Sequence, residues 1–215
     1  MLKRPAAPQN QFKYRPWTSM NAQDFTAGAA LSYPMELQRT HRLCKDELAM
    51  GIIDEILEAN EVYSRTHELR RLTPRPARKL AILTCMDTRL SIRTLGLVTG
   101  DAHIIRNAGG IVTDDSLRSL VISHHLLGTE AIMVINHTDC GLMLATEEEL
   151  RAKIQQRTGT AAVSPAFFYA FRNVEDNVRH QLGKLHTHPW IPKELTIRGF
   201  VYDVTTGRLR EVTNH

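Results

Sequence analysis

Two short apolar runs, each ended by polar residues that could bind a metal, constrain this chain most. Lys79–Thr84 and Ala131–Asn136 are each too short for an ordinary helix and too apolar for a strand with one wet face. Runs of that kind read as strands buried on both sides, which is the signature of a parallel sheet covered by helices. Neighbouring segments agree. A second short strand is expected at Ala102–Arg106. The tight loop Asn107-Ala108-Gly109-Gly110 follows it, and Thr113-Asp114-Asp115 then supplies helix-capping chemistry.

The spacing predicts a helix from about Asp115 to Leu127, stopped at Gly128. Further helices are expected near Glu147–Gln156 and Pro165–Leu185. The chain closes with a strand over Leu195–Val204, a Thr206-Gly207 turn and a short strand to Val212, a terminal hairpin. Upstream, Leu37, Leu48, Ile52, Ile56 and Leu57 recur at helical spacings, and Thr73-Pro74-Arg75-Pro76 stops that pattern. The expected fold is α/β: a central, mostly parallel β-sheet flanked by helices, with an N-terminal helical arm and a C-terminal β-hairpin. The expected division is a flexible or docking tail over 1–33, a helical arm over 34–72 and one α/β domain over 73–215. Phe12, Tyr14 and Trp17, set between basic residues, are the feature of the tail that a protein partner could hold.

Composition removes several classes of function. Apolar residues make up 42% of the 215 and charged residues 23%, which is ordinary for a folded globular chain. No apolar run approaches the roughly 18 residues a membrane helix needs, so no membrane association is expected. Pro, Gln and Asn interrupt the start before a secretory pattern can form, so the expected location is cytoplasmic. The net charge of +4 is spread along the chain without aromatic interleaving, so no nucleic-acid binding is expected. Three cysteines, Cys44, Cys85 and Cys140, do not make a disulfide framework.

The chemistry gathers at two strand ends. Cys85-Met86-Asp87-Thr88-Arg89 closes the first run, and His137-Thr138-Asp139-Cys140-Gly141 follows the run Ala131–Asn136. Parallel sheets place their ligand sites at the carboxyl ends of strands. Continued strand alternation would put Cys85, Asp87 and Arg89 on one side, and the Arg89 cation would favour ionised Asp87. Each residue taken singly has a plainer reading: a buried cysteine, or a hydrogen-bonded histidine. Taken together, Cys85, His137 and Cys140 form a Cys2His set with no fourth ligand nearby. Structural zinc sites close with four protein ligands, whereas catalytic sites keep one position open.

Other uses of these residues fit less well. A cysteine phosphatase needs its Arg about six positions after its Cys, whereas the arginines here follow Cys85 by four and eight, at Arg89 and Arg93. A papain-like pairing of Cys85 with His137 leaves Cys140 and Asp87–Arg89 without a role. The loop Asn107–Gly110 before a helix could cradle a phosphate, yet it matches neither glycine-rich nucleotide pattern. His103, His124, His125, His186 and His188 are not assigned to the metal.

At these residues the chain resembles the β-carbonic anhydrases. That family carries C-x-D-x-R at one strand end and H-x-x-C at another, here Cys85-x-Asp87-x-Arg89 and His137-x-x-Cys140. The stretches DAHIIRNAGGIVTDD (101–115) and RGFVYDVTTGRL (198–209) are also similar, so the resemblance covers roughly residues 75–213. It implies one Zn2+ per subunit on Cys85, His137 and Cys140. It also implies a homodimer or larger homo-oligomer, with N-terminal helices wrapping the partner. The implied reaction is reversible hydration of CO2 to bicarbonate by zinc-bound hydroxide. Asp87 would accept the hydroxide's hydrogen bond and Arg89 would hold Asp87. The wording M-D-x-R and H-T-D-C-G points to a compact subgroup that also contains carbonyl sulfide and carbon disulfide hydrolases. Those enzymes release hydrogen sulfide from the same kind of site. No extension after His215 narrows an entrance, which favours CO2.

Overall fold

The structure, a computed structural model, describes residues 51–65 and 72–213. The tail over 1–33 and the arm apart from its residues 51–65 and 72 lie outside the described residues. The chain divides near residue 70, so the first helix is described by itself. That helix, α1 (Ile52–Arg65), has Asp54 and Glu55 in its first turn and Arg65 in its last, which suits the helix dipole. Its apolar residues Ile52, Ile53, Ile56, Leu57 and Val62 are all exposed.

From residue 72 the chain forms one five-stranded sheet. In chain order the elements are β1 (Leu80–Cys85), β2 (Ala102–Asn107), α2 (Asp114–His125), β3 (Ala131–His137), α3 (Glu147–Thr158), α4 (Val174–Thr187), β4 (Thr196–Tyr202) and β5 (Leu209–Val212). The spatial order is β2-β1-β3-β4-β5. The first four strands are parallel, and β5 returns antiparallel to β4 as the terminal hairpin. The central strand β1 has β2 on one side and β3 on the other, and its residues from Ala81 to Cys85 are buried.

The parallel register places the functional ends together. Cys85 sits opposite Asn107, Thr84 opposite Ile135, and His137 opposite Tyr202. On one face, α2 and α4 cover Ala81, Leu83, Ile132, Val134 and Val201 with Leu120, Val178, Leu182 and Leu185. On the other face, Ile82, Ile135, Phe200 and Tyr202 pack with Leu90, Leu97 and both site cysteines. Among the described residues that second face is covered by loops and short 3-10 turns.

Local sequence explains the helix ends. Thr113 caps α2 in a reciprocal pair with Ser116, and Thr146 caps α3 with Glu149. The helix expected from Pro165 begins only at Val174, capped by Asn173. Side chains of α3 occupy the backbone groups a helix would have used. Arg151 donates to the carbonyls of Ala162, Pro165 and Ala166, and Glu147 accepts from the amides of Phe168 and Ala170. Residues 160–173 therefore run as a strap beside α3.

Candidate metal centre

β1 and β3 end side by side, and each delivers a ligand at its last residue. Cys85 closes β1, His137 closes β3, and Cys140 lies one turn further. Their ligand atoms all lie within 4.8 Å of one another. All three residues are buried, His137 at 1% exposure. Asp139 makes the turn with a φ of 55°, a left-handed conformation that Asp tolerates better than most side chains.

The imidazole is oriented for a cation. His137 Nδ1 lies 2.8 Å from the carbonyl of Thr138, so that nitrogen carries the proton. Its Nε2 points toward the thiols and is the buried side-chain polar atom left without a hydrogen-bond partner among the described residues. A buried acceptor normally finds a donor. A metal on Nε2 would account for the exception.

The thiols show the same need. The neighbouring Cys140 lowers the Cys85 thiol against the penalty of burial, and Cys85 in turn raises that of Cys140. Two thiolates this close cannot both stay charged in a buried site without a cation. Burial disfavours the His137 imidazolium, but the negative charge of the neighbouring Cys85 sulfur raises the group. Two sulfurs and one imidazole, with no fourth ligand in the cluster among the described residues, suit a tetrahedral divalent ion that keeps one position open.

Asp87 borders that position. Its Oδ2 lies 3.9 Å from His137 Nε2. Arg89 holds it with Nε to Oδ1 at 2.9 Å and Nη2 to Oδ2 at 2.8 Å, while the Arg89 amide also donates to Oδ1. These bonds, the guanidinium first, bring the carboxyl from 3.8 down to about 2. The same guanidinium reaches Asp139 Oδ2 at 2.7 Å and so ties the two motifs together. Strand alternation does not align Cys85 with Asp87, because β1 stops at Cys85. The turn does so instead.

Arg106 belongs to the site although its sequence position does not announce it. Its Nε donates to the Cys85 carbonyl at 2.9 Å and its Nη2 to the Asp87 carbonyl at 2.6 Å. Arg106 also borders an apolar hollow lined by Ile82, Leu90, Ile92, Leu95, Ile135 and Tyr202. Gly109 (φ 80°) and Gly110 (φ 64°) wrap Cys85 closely, and a Cβ on Gly110 would stand 3.1 Å from the Cys85 nitrogen. The unassigned histidines are used elsewhere: His103 bonds Ser123 and the Pro74 carbonyl, and His124 the Thr129 carbonyl.

Fold and site together define a class: an α/β protein with a buried Cys2His cluster that could hold a metal at the carboxyl end of a parallel sheet. The carbonic anhydrase family profile matches residues 80–209. "Beta-carbonic anhydrase 1" of Mycobacterium tuberculosis is 41% identical over 166 residues, covering 76% of this chain and 99% of that protein. A carbon disulfide hydrolase of Saccharolobus solfataricus is 38% identical over 183 residues, covering 74% and 88%. Among solved structures, a carbonic anhydrase from Streptococcus mutans is 43% identical with a TM-score of 0.72, covering 77% of this chain and 100% of that one. The chain belongs to the β-carbonic anhydrase family.

Proposed function

We propose that this protein binds one zinc ion per subunit on Cys85, His137 and Cys140 and catalyses the reversible hydration of CO2 to bicarbonate and a proton. The observation that carries the reading is the buried trio within 4.8 Å, with His137 Nε2 turned into it and unpartnered. Zinc there would supply Lewis acidity, lowering the pKa of a water in the open position to about 7. Asp87, kept ionised by Arg89, accepts a hydrogen bond from the attacking water and turns its lone pair toward the substrate carbon. Both Asp87 oxygens stay on Arg89, which keeps the carboxylate from taking the open position itself. Arg106 fixes the backbone that carries Cys85 and Asp87. The exposed apolar residues of α1 fit a homo-oligomer in which a second subunit covers them. No described helix is long and apolar enough to cross a membrane, and the working location is cytoplasmic.

A second reading keeps the site and changes the substrate. Carbon disulfide hydrolases stand among the relatives at 35 to 38% identity. The chemistry is then hydrolysis of carbon disulfide or carbonyl sulfide, releasing hydrogen sulfide. Metal analysis with parallel stopped-flow CO2 hydration and sulfide-release assays tests both. We expect one zinc per chain and CO2 hydration at neutral to mildly alkaline pH, reduced about 100-fold in Asp87→Ala. Absence of hydration above buffer would overturn the first reading, and sulfide release in its place would establish the second.

A further inference from the structure

Behind the metal centre, on the face covered by α4, three amide side chains form a buried chain. Asn136, the residue before His137, is 1% exposed, Asn177 8% and Gln181 1%. Asn177 and Gln181 stand one turn apart on α4. Gln181 Nε2 donates to Asn177 Oδ1 at 2.8 Å, and Asn177 Nδ2 donates to Asn136 Oδ1 at 2.8 Å. At one end Asn136 Nδ2 donates to the carbonyls of Gly109 and Gly110, at 2.9 and 3.2 Å. At the other, Gln181 Oε1 accepts from the Val112 amide at 2.9 Å. The chain thus closes into a ring through the backbone of residues 110–112.

Three buried amides are a poor choice for packing alone, since apolar side chains of similar size would fill the space without needing partners. What the ring holds is the segment from Gly109 to Val112. That segment carries the Gly109 N–H, which donates to Cys85 Sγ at 3.3 Å. With φ of 80° and 64° at Gly109 and Gly110, the short 3-10 turn over Ala108–Gly110 is kinked, and side chains hold it from both ends: Asn107 bonds the Ile111 backbone, and the ring bonds Gly109, Gly110 and Val112.

We propose that Asn136, Asn177 and Gln181 are positioning residues that keep the Gly109 N–H on the Cys85 sulfur and so set its donor strength toward the metal. The inference rests on the zinc reading above. An N–H on a ligating sulfur draws charge from it and fixes its direction, and outer hydrogen bonds of this kind tune metal sites. The ring reaches the centre from the helix-covered face, whereas Asp87, Arg89 and Arg106 hold it by direct contact.

The test uses the full chain with Co2+ or Zn2+. In Gln181→Met, a substitution of similar size that loses both ends of the amide, the Co2+–thiolate charge-transfer band moves to longer wavelength. Zinc is also lost to a chelator about tenfold faster. Gln181→Glu, which again offers an oxygen to the Val112 amide, returns the band toward the wild-type position. A band at the wild-type position in Gln181→Met overturns the proposal, because a merely structural amide would leave the sulfur unchanged. If Gln181→Met does not fold, the 113Cd-loaded wild type decides. Scalar coupling between 113Cd and the Gly109 amide supports the proposal, and its absence overturns it. Metal uptake with no CO2 hydration would sink the assigned reaction and leave this inference standing. Failure of the wild type to take up any metal sinks both.

Discussion

The two faces of the sheet do different work. On the face under α2 and α4, Ala81, Leu83, Val134, Leu120, Val178 and Leu185 are all at 0% exposure, packed as one apolar cluster. On the opposite face, Leu80, Ile104 and Met133 remain partly exposed and the cluster includes Cys85 and Cys140. Strand alternation assigns most residues to their faces, with Cys85 at the end of β1 departing from it to join Ile82, and at the end of β3 it separates neighbours. Asn136 turns to α4 while His137 turns to Cys85 and Cys140. Close packing resists small changes in volume, so the helix face can act as a rigid support. The other face can then keep an opening beside buried charge.

This contrast can be broken from either side. The largest effect belongs to the metal centre. His137→Ala should remove zinc binding and lower CO2 hydration by at least about three orders of magnitude, while far-ultraviolet circular dichroism stays near wild type. Loss of the secondary-structure signal along with the metal would show that the metal supports the fold as well. Next comes the helix face. Leu185→Ala deletes a fully buried side chain of α4 and should cost about 3 kcal/mol in urea unfolding, with metal content unchanged at low denaturant. A variant that lost zinc in proportion to stability would mean that the faces are not separable.

The smallest effect concerns Asp87 and acid. Its carboxyl is depressed from 3.8 to about 2. A group depressed in the folded state contributes stability that is present above its unfolded value, near 4, and is lost as the pH falls through about 2. The contribution is on the order of 2 kcal/mol. Unfolding of metal-free protein between pH 5 and pH 2 should show that loss in the wild type and much less of it in Arg89→Leu. Metal-free samples keep acid release of zinc out of the comparison. Equal acid slopes in the two proteins would mean that Arg89 is not what holds Asp87 ionised.

Much of this was readable along the chain, and the exceptions share a cause. The runs Lys79–Thr84 and Ala131–Asn136 read as buried strands because burial on both faces demands unbroken apolar sequence, and β1 and β3 lie there. The glycine at 128 and the threonine at 113 bracketed α2 to within two residues. The strap over 160–173 was misread as helix, since its partners are Arg151 and Glu147 on another element. Arg106 and the amide ring also went unread. One signal for the ring was present: Asn136 interrupts an apolar run at a position that must be buried, and a buried amide requires partners. Asn177 and Gln181, one turn apart on an otherwise amphipathic helix, were the matching half.

By itself the sequence determined which residue types end each strand, because a run's burial and a turn's chemistry are local properties. It thereby determined that sulfur, imidazole, carboxylate and guanidinium would sit at the carboxyl edge of a parallel sheet. Only the tertiary structure decided that Cys85, His137 and Cys140 share one 4.8 Å cluster, that Asp87 borders it rather than fills it, and that Arg106 and α4 stand behind it. Those facts depend on strand order and register. Strand pairs such as Leu80 with Ala131 and His137 with Tyr202 settle them, and no local pattern in the chain encodes such a distance.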